Sequence, residues 1–151
     1  MAARRTPGAA WLPDADRGAA VTGTLRGLIL DVGGVLTDGP PVTDLPARSR
    51  AVGVRTALLT DASSVPPELA ALVDVVRLGC DGPRKPHPEA FRAAAAALGV
   101  PIEQCVVVDD AEANVRGARE AGAVVVRHVD ADATVLEVEI LLDLHPERRG
   151  N

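Results

Sequence analysis

From Leu25 onward, short apolar runs rich in Val, Leu and Ile recur along the chain, and between them the apolar positions shift to helical spacing. The runs predict buried strands at residues 27–30, 54–59, 74–78, 105–108 and 123–127. The stretches between and after them predict helices at residues 44–52, 65–72, 88–98, 111–121 and 131–143. Gly53, Gly99 and Gly122 follow three of these helices, where a helix-ending glycine belongs. Alternating strands and helices, with strands apolar on both faces, predict an α/β fold, a doubly wound parallel sheet covered by helices on either side. Residues 1–24 carry Ala, Gly, Pro, Arg and Asp without either period and read as a flexible N-terminal tail, leaving residues 25–151 as one α/β core domain.

At 151 residues the chain is long enough to bury a substantial core, and 47% hydrophobic with 25% charged residues is the balance of a soluble globular protein. Trp11 and Phe91 are its only aromatic residues. The core is therefore aliphatic, and the stacking platforms of a single-strand nucleic-acid binder are missing. A net charge of −5 also opposes polyanion binding, so no nucleic-acid partner is expected. Cys80 and Cys105 stand in neither a metal-ligand spacing nor a disulfide framework, which fits a reduced cytoplasmic chain. No stretch reaches membrane-spanning length, and Arg4-Arg5 is not followed by the apolar segment of a signal peptide, so no membrane partner is expected either. Trp11, isolated in the tail, reads as a residue resting on the domain surface, with a docking anchor for a partner as the alternative.

Chemistry collects where the predicted strands end. Asp31 closes the first and precedes Val32-Gly33-Gly34, a turn that exposes its carboxylate, and a carboxylate can attack phosphorus directly. Thr60 closes the second, with a hydroxyl able to donate to a phosphoryl oxygen. Lys85 lies in Arg84-Lys85-Pro86-His87-Pro88, where the prolines restrict the backbone and aim the ammonium. Asp109 and Asp110 follow an apolar strand as adjacent carboxylates, a repulsive pair that a hard cation with oxygen ligands relieves, unless one merely caps the next helix. The carboxyl edge of a parallel sheet is where ligands bind, and together these groups make a kit for phosphoryl transfer on Mg²⁺.

In this order the segments LILDVGGVLTD, ALLTDAS, GPRKPHPEAFRAAAAALGV and VVVDDAEANVRGAREAGA resemble the four motifs of the haloacid dehalogenase (HAD) superfamily of aspartate-nucleophile hydrolases, over about residues 25–142. The last two are similar to its haloacid dehalogenase/epoxide hydrolase-like branch. The resemblance implies a Rossmann-like HAD core in which Asp31 is nucleophile and Mg²⁺ ligand and the Gly33 carbonyl a second ligand. It implies further that Asp110, with Asp109 beside it, completes the metal site, that Asn114 ties down the loop, that Thr60 holds the phosphoryl group and that Lys85 neutralises its charge. Response-regulator receivers assemble the same groups, but with the acidic pair early and the acceptor Asp in the middle, so the order here argues against one.

The chain departs from the family pattern in three places. HAD phosphatases carry a general acid two residues after the nucleophile, and Gly33 stands there. General acid–base help is worth about 10² to 10⁴ in rate, so weak turnover is expected. The interval between Asp31 and Thr60 leaves no room for a cap domain, so the core is expected to be capless with an open site. Asp61 replaces the usual Asn and is expected to cap the following helix rather than to face the phosphate; Asp38, seven positions after Asp31, is the nearest other candidate acid but is expected to be a turn residue before Gly39-Pro40-Pro41. The expected function is a Mg²⁺-dependent HAD-like phosphatase acting on a phosphorylated small molecule or phosphoprotein. The alternative is a non-catalytic phosphate- or phosphoprotein-binding module that keeps the metal pocket; a homo-oligomer covering the open face is a further expectation.

Overall fold

A computed structural model describes residues 25–144, so the N-terminal tail, Trp11 with it, and residues 145–151 lie outside the described residues. Five strands form one wholly parallel sheet: β1 (Gly27–Leu30), β2 (Arg55–Leu59), β3 (Val75–Arg77), β4 (Cys105–Asp109) and β5 (Val124–Arg127), in the order β3-β2-β1-β4-β5. β1 and β4 are buried along their whole length, which is why their sequences are unbroken apolar runs up to Asp109. The edge strands β3 and β5 are only partly buried. Helices α1 (Leu45–Ala51), α2 (Pro67–Ala70), α3 (Pro88–Leu98), α4 (Glu112–Ala121) and α5 (Ala131–Leu142) cover both faces.

The alternation of side chains along each strand divides the core in two. Leu28, Leu30, Leu58, Val106, Val108 and Val126 point to the side of α1 and α5, where they meet Leu45, Val135, Val138 and Leu142. Ile29, Ala57, Leu59 and Val107 point to the other side, against Ala90, Phe91, Ala94 and Leu98 of α3 and Ala118 and Ala121 of α4. Each fully buried aliphatic side chain contributes roughly 1.5–3 kcal/mol. Side chains also fix two helix starts: His87 Nδ1 accepts the Glu89 N–H at 3.0 Å for α3, and Asp130 Oδ1 accepts the Ala133 N–H at 2.9 Å for α5. Gly99 and Gly122 end α3 and α4 in the left-handed conformation.

The expected helix at 65–72 shrinks to the single turn Pro67–Ala70, because Pro67 holds Pro66 in an extended conformation and itself takes the first helical position. Between β1 and β2 the chain forms only two 3₁₀ turns, Leu36–Asp38 and Val42–Asp44, and α1. No described helix is long and apolar enough to cross a membrane.

Candidate active site

β1 and β4 lie side by side where the strand order reverses, with β2 and β3 on one side and β5 on the other. The chain leaves β1 toward α1 on one face and β4 toward α4 on the opposite face. A crevice therefore opens between their carboxyl ends, the position at which doubly wound sheets bind ligands. Asp31 sits directly beyond β1, its N–H donating to the Val108 carbonyl at 3.0 Å, so the ladder that holds the strand also fixes the base of this side chain. Asp109 is still part of β4, in register with Arg127, and only 1% exposed.

Lys85 joins the two. Its side chain reaches in from the loop before α3, is buried, and donates from Nζ to Asp31 Oδ1 at 2.8 Å and to Asp109 Oδ2 at 2.9 Å. Three supports aim it. The Lys85 N–H donates to Asp61 Oδ1 at 3.0 Å, and Arg84 Nη2 donates to the Asp61 carbonyl at 3.2 Å. The third is α4, which presses on the carbonyl of Pro86 so closely that a Cβ on Gly117 would stand 1.9 Å from that oxygen. The expectation that Asp61 caps a helix is thus corrected: α2 begins at Pro67 with no side-chain cap, and the Asp61 carboxylate holds the lysine loop instead.

The remaining expected residues gather around this centre. Asn114 donates from Nδ2 to both Asp109 oxygens at 3.2 Å, and the Ala111 N–H donates to Asp109 Oδ1 at 3.0 Å, so Asp109 is held both by the β4–α4 loop and by the first turn of α4. Asp110 is exposed and its carboxylate lies against Gly34, whose φ is +80° and whose missing Cβ would fall 2.2 Å from Asp110 Oδ2. Thr60 stands at the same edge one strand over, buried, its N–H donating to the Arg77 carbonyl at 3.1 Å and its Oγ1 accepting the Ala62 N–H at 3.2 Å. Gly33 faces open space, with nothing within 4 Å of a Cβ placed there.

Ligand atoms of Asp31, Asp109 and Asp110 all lie within 4.8 Å of one another. Burial lifts the Asp31 carboxyl above its ordinary value of 3.8, with the Lys85 charge pulling the other way and Asp109 adding to the rise. Burial depresses Lys85, but Asp109 and Asp31 outweigh it and leave the ammonium above the usual lysine value of 10.5. One ammonium is therefore shared between a partly buried carboxylate and a buried one while a third, exposed, stands beside them, and with all ionised two negative charges remain. Hard oxygen donors with a surplus of two negative charges fit a divalent cation such as Mg²⁺.

One group escaped the sequence reading. His128 follows β5 at this same edge, where the positional rule that singles out Asp31 also applies, but a lone histidine carries no motif in the sequence. Asp38, expected to be a turn residue alone, is its partner.

The model of the haloacid dehalogenase-like hydrolase family matches residues 40–122. The crystal structure of an uncharacterized protein from Corynebacterium glutamicum ATCC 13032 Kitasato is 39% identical, covering 80% of this chain and 97% of that one with a TM-score of 0.72. CbbY from Rhodobacter sphaeroides, solved as a mutant in complex with xylulose-(1,5)bisphosphate, is 28% identical over 60% of this chain and 46% of its own, with a TM-score of 0.50. The core domain of a proposed phosphoglycolate phosphatase from Streptococcus pneumoniae TIGR4 shares the fold at 16% identity, over 75% of this chain and 93% of that one, with a TM-score of 0.58. No curated protein sequence matches the chain. The chain belongs to the haloacid dehalogenase-like hydrolase family.

Proposed function

We propose that the chain is a capless, Mg²⁺-dependent phosphohydrolase of the haloacid dehalogenase/epoxide hydrolase-like branch, working through a phosphoryl-aspartate on Asp31. The observation that carries this reading is the buried Lys85 ammonium bridging Asp31 and Asp109 at 2.8 and 2.9 Å beside the exposed carboxylate of Asp110. Asp31, Asp110 and the Gly33 carbonyl would hold the cation, with Asp109 behind them. When bound, Mg²⁺ supplies charge stabilisation to the phosphoryl oxygens.

The other steps fall to the protein. Lys85 and the Thr60 hydroxyl bind and orient the phosphoryl group at the carboxyl edge. An Asp31 carboxylate oxygen attacks phosphorus, the bond from phosphorus to the leaving oxygen breaks, and that oxygen departs with the bonding pair. Water then hydrolyses the acyl phosphate, releasing inorganic phosphate and restoring the carboxylate. With Gly33 at the acid position the leaving oxygen departs unprotonated, which holds turnover low on ordinary esters. The open carboxyl edge of the sheet around β1 and β4 suits a phosphorylated small molecule or a phosphoprotein in the cytoplasm, and a second copy of the chain is one way to cover it.

Titration calorimetry with Mg²⁺, paired with hydrolysis of p-nitrophenyl phosphate with and without Mg²⁺, tests the reading. Saturable Mg²⁺ binding and metal-dependent hydrolysis that Asp31→Asn abolishes are expected. Hydrolysis surviving in Asp31→Asn would overturn it. Mg²⁺ and phosphate binding without any turnover would favour the non-catalytic module, for which Gly33 is the one specific observation.

A further inference from the structure

Asp38 ends the 3₁₀ turn Leu36–Asp38 in the loop that follows Asp31. Its Oδ2 lies 2.6 Å from His128 Nε2, and Nδ1 of the same ring lies 2.6 Å from Thr134 Oγ1 in the first turn of α5. His128 and Thr134 are buried, 5% and 1% exposed, while the Asp38 side chain is 43% exposed. An ionised carboxylate only accepts, so Nε2–H donates to Asp38, and in the neutral ring the Thr134 hydroxyl donates to Nδ1. The backbone of His128 adds one more bond, its N–H donating to the Asp109 carbonyl at 3.0 Å. One residue is thus tied through its main chain to the strand end that carries Asp109 and through its ring to the loop that carries Gly33 and Gly34.

The loop is compact enough to transmit that anchorage. The Gly34 N–H donates to Thr37 Oγ1 at 2.9 Å, the Thr37 N–H to the Val32 carbonyl at 3.2 Å, and the Asp38 N–H to the Val35 carbonyl at 3.1 Å. An apolar residue at 128 would pack α5 on the sheet without any desolvation cost. A hydrogen-bonded chain adds fixed direction, and here that direction sets where residues 32–38 lie relative to β4.

We propose that Asp38, His128 and Thr134 form a positioning clamp which fixes the loop after Asp31 against the ends of β4 and β5, and that cation affinity at Asp31 and Asp110 depends on it. The second half rests on the metal-binding reading above. Asp38→Ala opens the clamp, and Asp38→Asn keeps an acceptor of the same shape. Arg48→Ala, which removes a contact to Glu139 and the Leu144 carbonyl away from the site, serves as a destabilised control.

Mg²⁺ titration should show Asp38→Ala weakened by roughly ten-fold, the low end for outer positioning partners of a metal site. Asp38→Asn and Arg48→Ala should stay near wild type. Hydrogen exchange of the 32–37 amides should accelerate in Asp38→Ala alone, a readout that needs no metal. If the wild type itself fails to bind Mg²⁺, the metal reading falls while faster exchange in Asp38→Ala still supports the clamp. Unchanged exchange in Asp38→Ala, or the same change in Arg48→Ala, would overturn it.

Discussion

Gly33 and Gly34 are consecutive glycines with opposite constraints. Gly34 has φ +80° and no space for a side chain beside Asp110, whereas Gly33 has neither a positive φ nor any neighbour within 4 Å of a Cβ. Gly33→Asp should therefore fold as well as the wild type while restoring an acid two residues past Asp31. Hydrolysis of ordinary phosphate monoesters should rise by a factor bounded at about 10² to 10⁴, and steady-state kinetics should show the gain vanish in the double variant with Asp31→Asn. Gly34→Ala is expected to behave differently, costing about 1–2 kcal/mol for the left-handed backbone and pushing the Asp110 carboxylate away. Thermal melting and Mg²⁺ titration on that variant should show a modest loss of stability and a large loss of affinity. The family resemblance marks Gly33 as the position where an acid is expected; the separate reason for Gly34 lies in a dihedral angle and a neighbour 76 positions away, neither of which composition encodes.

Among the elements, those with strong periodicity were legible and those set by long-range contacts were not. β1 and α3 run over the predicted residues because an unbroken apolar run and an alanine-rich amphipathic stretch admit one structure each. The short 3₁₀ turns went unread, and so did the role of Asp61, because its bond to the Lys85 N–H joins residues far apart in sequence. The seat of α4 on the lysine loop is of the same kind. Alanine is a better helix former than glycine by about 1 kcal/mol, yet Gly117→Ala would place a Cβ 1.9 Å from the Pro86 carbonyl and 3.3 Å from the Phe91 ring. Denaturant unfolding should show a net loss of about 1–3 kcal/mol, the overpacking range, and weaker phosphate binding as Lys85 shifts.

The β2–β3 edge offers a test in pH. Asp74 Oδ2 accepts the Thr56 N–H at 2.9 Å and the Thr56 hydroxyl at 3.0 Å, and Arg50 lies 3.3 Å from Oδ1. Burial works against the Asp74 carboxylate, but these partners outweigh it and hold its pKa below 3.8. A depressed acid stabilises the fold above its unfolded value and loses that contribution as pH falls through the folded one. Asp74→Ala should cost about 1–3 kcal/mol at neutral pH by orphaning a buried donor. Urea denaturation repeated at falling pH below 3.8 should show the gap to wild type narrowing as the pH passes through the depressed folded-state value and the native carboxylate takes up its proton.

For the molecule as a whole, the site is a feature of one sheet edge, with no layer of the described chain above it to enclose a substrate or lend it a proton. Candidate site and fold are separable here: the apolar layers place Asp31 and Asp109 within hydrogen-bond distance of Lys85, and a side chain at position 33 would touch none of that packing. On the proposed mechanism the leaving group carries its own charge as it departs, so wild-type rates should fall steeply as the leaving-group pKa rises, from acyl and nitrophenyl phosphates to alkyl phosphates. Measured as kcat/KM over a series of aryl and alkyl phosphates, the slope should flatten in Gly33→Asp, where the added carboxyl protonates the poor leaving groups and leaves the good ones almost unaffected. A shallow slope already present in the wild type would mean that a proton donor reaches the leaving oxygen from elsewhere, with Asp110 and a second copy of the chain as the first candidates to mutate and to dilute.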